Sequence, residues 1–177
     1  KNNPTISGNT GNGEVTYYYN TTNSNTNGTL WSTVASSTSL NVGTYYMYAV
    51  VSATTNYNGA TTSAVPFAIT KRAITVKAAD GSKTYDGSAL TNASGCSITA
   101  GGVLTGHSVT CSNSGSITNK GSATNTSSSV SIKSGTTDVS GNYSITKANG
   151  TLTVTKANAT CPTTTAYSGN FNNAAHS

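Results

Sequence analysis

The chain has 177 residues, enough for one or two domains, and only 7% of them are Asp, Glu, Lys or Arg, against about 25% in ordinary soluble domains. Its net charge of +5 comes from nine basic and four acidic residues; apart from the adjacent Lys71 and Arg72 the basic ones are scattered singly, as strand-edge gatekeepers are, and lack the clustering that nucleic-acid binding requires. Thr, Ser, Asn and Gly carry the polar surface instead, which points to an extracellular setting, and no apolar run approaches the roughly 18 residues of a membrane span.

Glu, Gln and Leu are scarce and no helical period survives inspection, whereas Thr, Val, Ile and Tyr abound. Gly and Asn break the chain at the roughly 8–12-residue spacing of an all-β protein. In residues 1–71 the pattern predicts strands over 14–20, 30–35, 43–53 and 62–70, with turns at 8–13 and 56–59 and a polar loop at 20–28. The clearest alternation sets Tyr45, Met47, Ala49 and Val51 against Tyr46, Tyr48 and Val50.

A second set, residues 72–156, opens with a strand at 73–79, turns at Asp80-Gly81 and reaches a Tyr85-Asp86-Gly87 turn. Residues 96–100 and 107–113 read as a strand pair across Gly101-Gly102, and 128–133 as another strand. Gly141 and Asn142 lead into a strand starting at Tyr143. Asn149-Gly150 reads as a tight hairpin turn into the closing strand 151–156. Residues 157–177 begin a third set and reach an echo of the Tyr-Asp-Gly turn at Tyr167-Ser168-Gly169.

A Lys closes a strand in both longer sets: Lys71 after Phe67-Ala68-Ile69-Thr70, and Lys156 after Leu152-Thr153-Val154-Thr155. The middle set spans 85 residues, and the outer pieces 1–71 and 157–177 together span 92. Residues 1–71 lack the opening strand and Tyr-x-Gly turn that 157–177 carry. The chain therefore reads as an internal piece of something longer, one period of a two-domain repeat cut inside a domain.

Site chemistry is sparse. Cys96 and Cys111 flank a segment that reads as strand-turn-strand closed by a disulfide, which for a loop of about 15 residues adds about 3 kcal/mol; two free thiols are the alternative. Cys161 has no partner in its own segment, and no Cys or His spacing suggests zinc. Asp86 and Gly87 suit a tight turn, the Asp bonding its own backbone two residues on and the Gly taking positive φ, while Tyr85 is expected to pack across the end. Tyr143 reads as a corner tyrosine whose hydroxyl ties a loop.

Asp80, Asp86 and Asp138 lie on three loops without the clustered carboxylates calcium requires. Lys77, with Asp86 and Asn142, is the conceivable member of an isopeptide cross-link, but alternation from Ile74 and Val76 turns it outward. His107 with Asp86 lacks a nucleophile elbow. No catalytic residue, cofactor or metal is expected. Tyr17, Tyr19, Tyr46 and Tyr48 are candidates for a carbohydrate-stacking face, although cross-strand pairing accounts for such rings without a ligand.

Lys83-Thr84-Tyr85-Asp86-Gly87, Gly106-His107, Gly141-Asn142-Tyr143 and the closing 152–156 stretch together resemble bacterial immunoglobulin-like surface repeats of the YDG type. Residues 1–71 joined to 157–177 resemble the related MBG-type repeat through Gly43-Thr44-Tyr45 and Asn56-Tyr57-Asn58-Gly59. His107, where the family usually has Asp, and the cysteine pair depart from the pattern. The resemblance implies an all-β fold of tandem immunoglobulin-like β-sandwich domains: residues 1–71 incomplete, 72–156 complete, and 157–177 opening a further domain. It implies a non-enzymatic structural module of a secreted or cell-surface protein, a stalk, spacer or fibre subunit.

The expected partners are further copies of the repeat, joined covalently or by strand donation, with 157–177 completing residues 1–71 of a neighbour. The alternative is an adhesin module that holds a glycan or surface protein through end loops or a Tyr-rich face. Neither nucleic acid nor membrane insertion is expected.

Overall fold

The computed structural model describes residues 4–34, 40–166 and 168–171. In chain order its strands are β1 (Val15–Asn20), β2 (Thr29–Leu30), β3 (Gly43–Val51), β4 (Ala60–Thr61), β5 (Val65–Ile69), β6 (Arg72–Ala78), β7 (Gly81–Thr84), β8 (Cys96–Gly101), β9 (His107–Ser114), β10 (Gly121–Ser134), β11 (Thr137–Asp138), β12 (Tyr143–Ala148) and β13 (Gly150–Thr155). Among the described residues the helical content is two single 3₁₀ turns, Trp31–Thr33 and Ser140–Asn142. The protein is all-β, as its β-branched and aromatic composition dictates.

The first sheet, antiparallel throughout, has the order β2-β1-β3-β4, with β5 also paired to β3. The expected 62–70 strand shortens to β5, which pairs with Gly43 to Met47 of β3, while β4, ahead of that range, pairs with Val50 and Val51. The expected strand at 30–35 shortens to β2 and the 3₁₀ turn, with residue 35 outside the described residues.

Residues 72–155 build two further sheets. One has the order β12-β6-β8 and the other β11-β10-β13-β7, with β9 paired to β10. β10 changes partner along its length: Gly121 to Asn125 pair with β13, and Thr126 to Ser134 pair with β9. The register shifts between Ser127 and Ser129, a bulge that bends the strand and curls the sheet.

Two strand pairings inferred from sequence are corrected. β8 and β9 do not pair; β8 lies against β6 and β9 against β10, in different sheets. Asn149-Gly150 is not a hairpin turn either, because β12 pairs with β6 and β13 with β10 and β7. Both readings took neighbours in sequence as neighbours in a sheet, whereas here the chain steps from one sheet to the other. Gly150 is needed for space: a Cβ there would run into the carbonyl oxygens of Ala78 and Ala79.

The step at Ala79-Asp80 lies beside the step at Asn149-Gly150. β6 and β7 therefore run together with β12 and β13, parallel in both sheets. The two sheets share a core of Ile74, Val76, Cys111, Ile132 and Tyr143. Leu152 and Val154 are also fully buried, since alternation gives them the inward face of β13.

Candidate functional site

The Tyr-Asp-Gly turn is built around Lys83, at the end of β7. Its ammonium donates to Asp86 Oδ1 at 2.7 Å, to the Ser88 carbonyl at 2.6 Å and to Ser88 Oγ at 2.8 Å. The Ser88 amide donates to Asp86 Oδ1 at 2.9 Å, and Gly87 takes a φ of 81°, open to glycine at no steric cost. The Lys83 bond, followed by those from Ser88, holds the Asp86 carboxyl well below its ordinary value of 3.8. Tyr85 ties the turn to β13 through its amide, which donates to the Thr155 carbonyl at 2.9 Å. Tyr85 is 43% exposed.

The other two aspartates hold backbone in the same manner. Asp80 accepts from Lys77 Nζ at 2.6 Å and from the Thr151 amide at 2.8 Å, so it pins the step of β6 to the step of β12. Both bonds, that from Lys77 first, lower its pKa. Asp138 accepts from the Ser140 amide at 2.8 Å, which lowers its pKa as well. Among the described residues no three His, Cys, Asp or Glu side chains gather as a metal site would require, and no helix is long and apolar enough to cross a membrane.

Tyr143 is buried, and its hydroxyl meets His107 Nδ1 at 2.6 Å and accepts from the Leu104 amide at 3.1 Å. His107 thus belongs to the corner, a role its place in the sequence did not reveal. Gly141 has open space around it. Asn142 reaches the segment before β3: its Oδ1 accepts from the Val42 amide at 2.9 Å and its Nδ2 donates to Asn41 Oδ1 at 2.9 Å. That contact joins residues about 100 positions apart, and no local signal marks it.

Cys96 on β8 and Cys111 on β9 form a disulfide with a Cα separation of 6.1 Å. It connects the two sheets of the 72–155 unit and does not close a hairpin. Cys161 is a free, exposed thiol.

The first sheet has two unlike faces. On one, Tyr18 stacks on Tyr48 at 5.4 Å, and the Tyr48 hydroxyl accepts from the Gly28 amide. On the other, Tyr45 stacks on Phe67 at 5.5 Å and meets Tyr19 edge-on at 6.0 Å. The candidate carbohydrate face of Tyr17, Tyr19, Tyr46 and Tyr48 therefore does not exist as one surface. The β1–β3 register puts Tyr17 and Tyr19 beside Ala49 and Met47, while Tyr46 and Tyr48 point the opposite way. The Tyr45 face borders a hollow of about 610 Å³ lined by Ile6, Tyr17, Trp31, Met47, Val65 and Phe67 among others. Tyr167, the centre of the echoed turn, lies outside the described residues.

Among protein families, the YDG domain matches residues 70–150. No curated protein and no solved structure compared with the chain matches it.

Proposed function

We propose that the chain, carrying a YDG domain over residues 70–150, is a non-enzymatic structural repeat module of an extracellular or cell-surface protein. In this reading tandem immunoglobulin-like β-sandwiches of the bacterial surface type act as a stalk, spacer or fibre subunit whose partners are further copies of the repeat. The observation that carries it is the parallel pairing of the unit's opening strands with its closing strands, β6 with β12 and β7 with β13. A chain that enters and leaves a unit in the same direction emerges at the far end, so successive units string out. The Cys96–Cys111 disulfide favours an oxidising compartment, and the aspartates are spent on turns instead of chemistry.

Small-angle scattering of one, two and three covalently joined copies tests this. The maximum dimension is expected to grow linearly, by roughly 40 Å for each unit of this strand length. Growth as the cube root of mass, or retention of duplex DNA at moderate salt, would overturn it.

The aromatic-lined hollow favours a second reading, an adhesin module that holds a glycan or host protein there. Glycan-array binding that Tyr17→Ala abolishes would support it. A blank array, with cell attachment unchanged on deleting the segment, leaves the spacer.

A further inference from the structure

We propose that residues 157–166 of one copy of this chain complete the first sheet of a second copy. Residues 163–166 run parallel to the open edge of β5, and 157–162 cross its aromatic hollow. This rests on the structural-module reading and supplies the partner for it.

The closing strands of the two strand sets correspond residue for residue: Phe67-Ala68-Ile69-Thr70-Lys71 and Leu152-Thr153-Val154-Thr155-Lys156. Each pairs antiparallel with a long strand, β5 with β3 and β13 with β10. They differ on their second edge. β13 is flanked there by β7, in parallel, whereas β5 has no second neighbour among the described residues. The burial follows: Leu152 and Val154 are 0% and 1% exposed, while the matching Phe67 and Ile69 are only half-buried and Val65 is 62% exposed.

What flanks β13 is the stretch that follows Lys71, and its counterpart is the stretch that follows Lys156. Aligning Tyr85-Asp86-Gly87 with Tyr167-Ser168-Gly169 sets the β7 residues 81–84 on 163–166. Aligning Lys71 with Lys156 sets the inward Ile74 and Val76 on Ala159 and Cys161, and Lys77 on Pro162, a residue tolerated on edge strands. This stretch has the open backbone of a donor: every described residue from 156 to 171 is exposed and lies in no strand.

The donor is a second copy because of reach. Residue 156 leaves the unit at the end opposite to the one where Arg72 enters, since β12 runs parallel to β6 and β13 parallel to β7, with Thr155 beside Thr84. Six residues, 157–162, span at most about 20 Å. The unit, crossed by the thirteen positions from Arg72 to Thr84, is about 40 Å long at strand rise.

The register sets the test. In β13 and β7, Thr153 pairs with Ser82, so Ala68 of one copy should meet Thr164 of another. The full chain carrying Cys161→Ser, Ala68→Cys and Thr164→Cys is expected to form an intermolecular disulfide ladder on oxidation. The slipped pair Ala68→Cys with Thr163→Cys is expected to yield at least tenfold less, because a one-residue slip turns the side chains to opposite faces. A synthetic peptide of residues 156–171 in excess should suppress the ladder. A far-UV spectrum equal to the parent's separates a lost ladder from misfolding.

No ladder from a folded chain, an intramolecular cross-link, or equal yields from the two pairs would each overturn strand donation. None of these touches the scattering of covalent arrays, so the spacer reading stands or falls separately.

Discussion

At Tyr143 one hydroxyl settles a corner of the fold. It is the partner of the Leu104 amide and of the His107 ring, at a residue only 4% exposed. Tyr143→Phe keeps the ring packing and strands the amide, and an unsatisfied partly buried donor costs about 1–2 kcal/mol. Urea denaturation is expected to show a drop of that size with an unchanged slope, and His107→Ala a smaller one, since the amide keeps its acceptor. The corner role of Tyr143 was legible, because a Tyr entering a strand after Gly-Asn is a local pattern. Its partner was not, because 36 positions separate His107 from Tyr143 and residue type alone does not specify a tertiary contact.

Among the elements, alternation revealed most strands, β3 above all, but not their neighbours. Strand existence is written in the local period of two. Pairing depends on where the chain crosses between sheets, and the crossings at Ala79-Asp80 and Asn149-Gly150 resemble ordinary turns in sequence. The same limit misread the disulfide, whose spacing suited a hairpin but which ties β8 in one sheet to β9 in the other. Reduction should therefore loosen two sheets together. The chain-entropy estimate for a loop of this length is about 3 kcal/mol, and the urea midpoint with reductant should fall accordingly. An unchanged midpoint would mean that the β6–β8 and β9–β10 ladders hold the sheets without it. Cys111 lies in the core, so reduction is a cleaner comparison than substitution by serine.

For the molecule as a whole, scarcity of charge predicts a shallow pH response. Asp80, Asp86 and Asp138 all have pKa values lowered from 3.8 by bonds that exist only in the fold. A carboxyl with a depressed folded pKa stabilises fully above its unfolded value, and that contribution drains away as pH falls through the folded one. The denaturation midpoint should be unchanged by these groups from pH 7 to about 5 and decline below about 4. High salt should weaken the Lys77–Asp80 and Lys83–Asp86 pairs, whose carboxylates face solvent. Composition made the all-β class legible at this scale. Where the open edge and the hollow lie could not be read, because a surface left uncovered has no sequence pattern of its own.

The parallel register of the unit's first and last strands has a mechanical consequence. Tension applied where the chain enters and leaves loads these neighbours in shear. The six β6–β12 pairs and the four β7–β13 pairs must yield nearly together, whereas a hairpin pulled at its open end peels one bond at a time. The contacts that finish the fold are also those that carry the load.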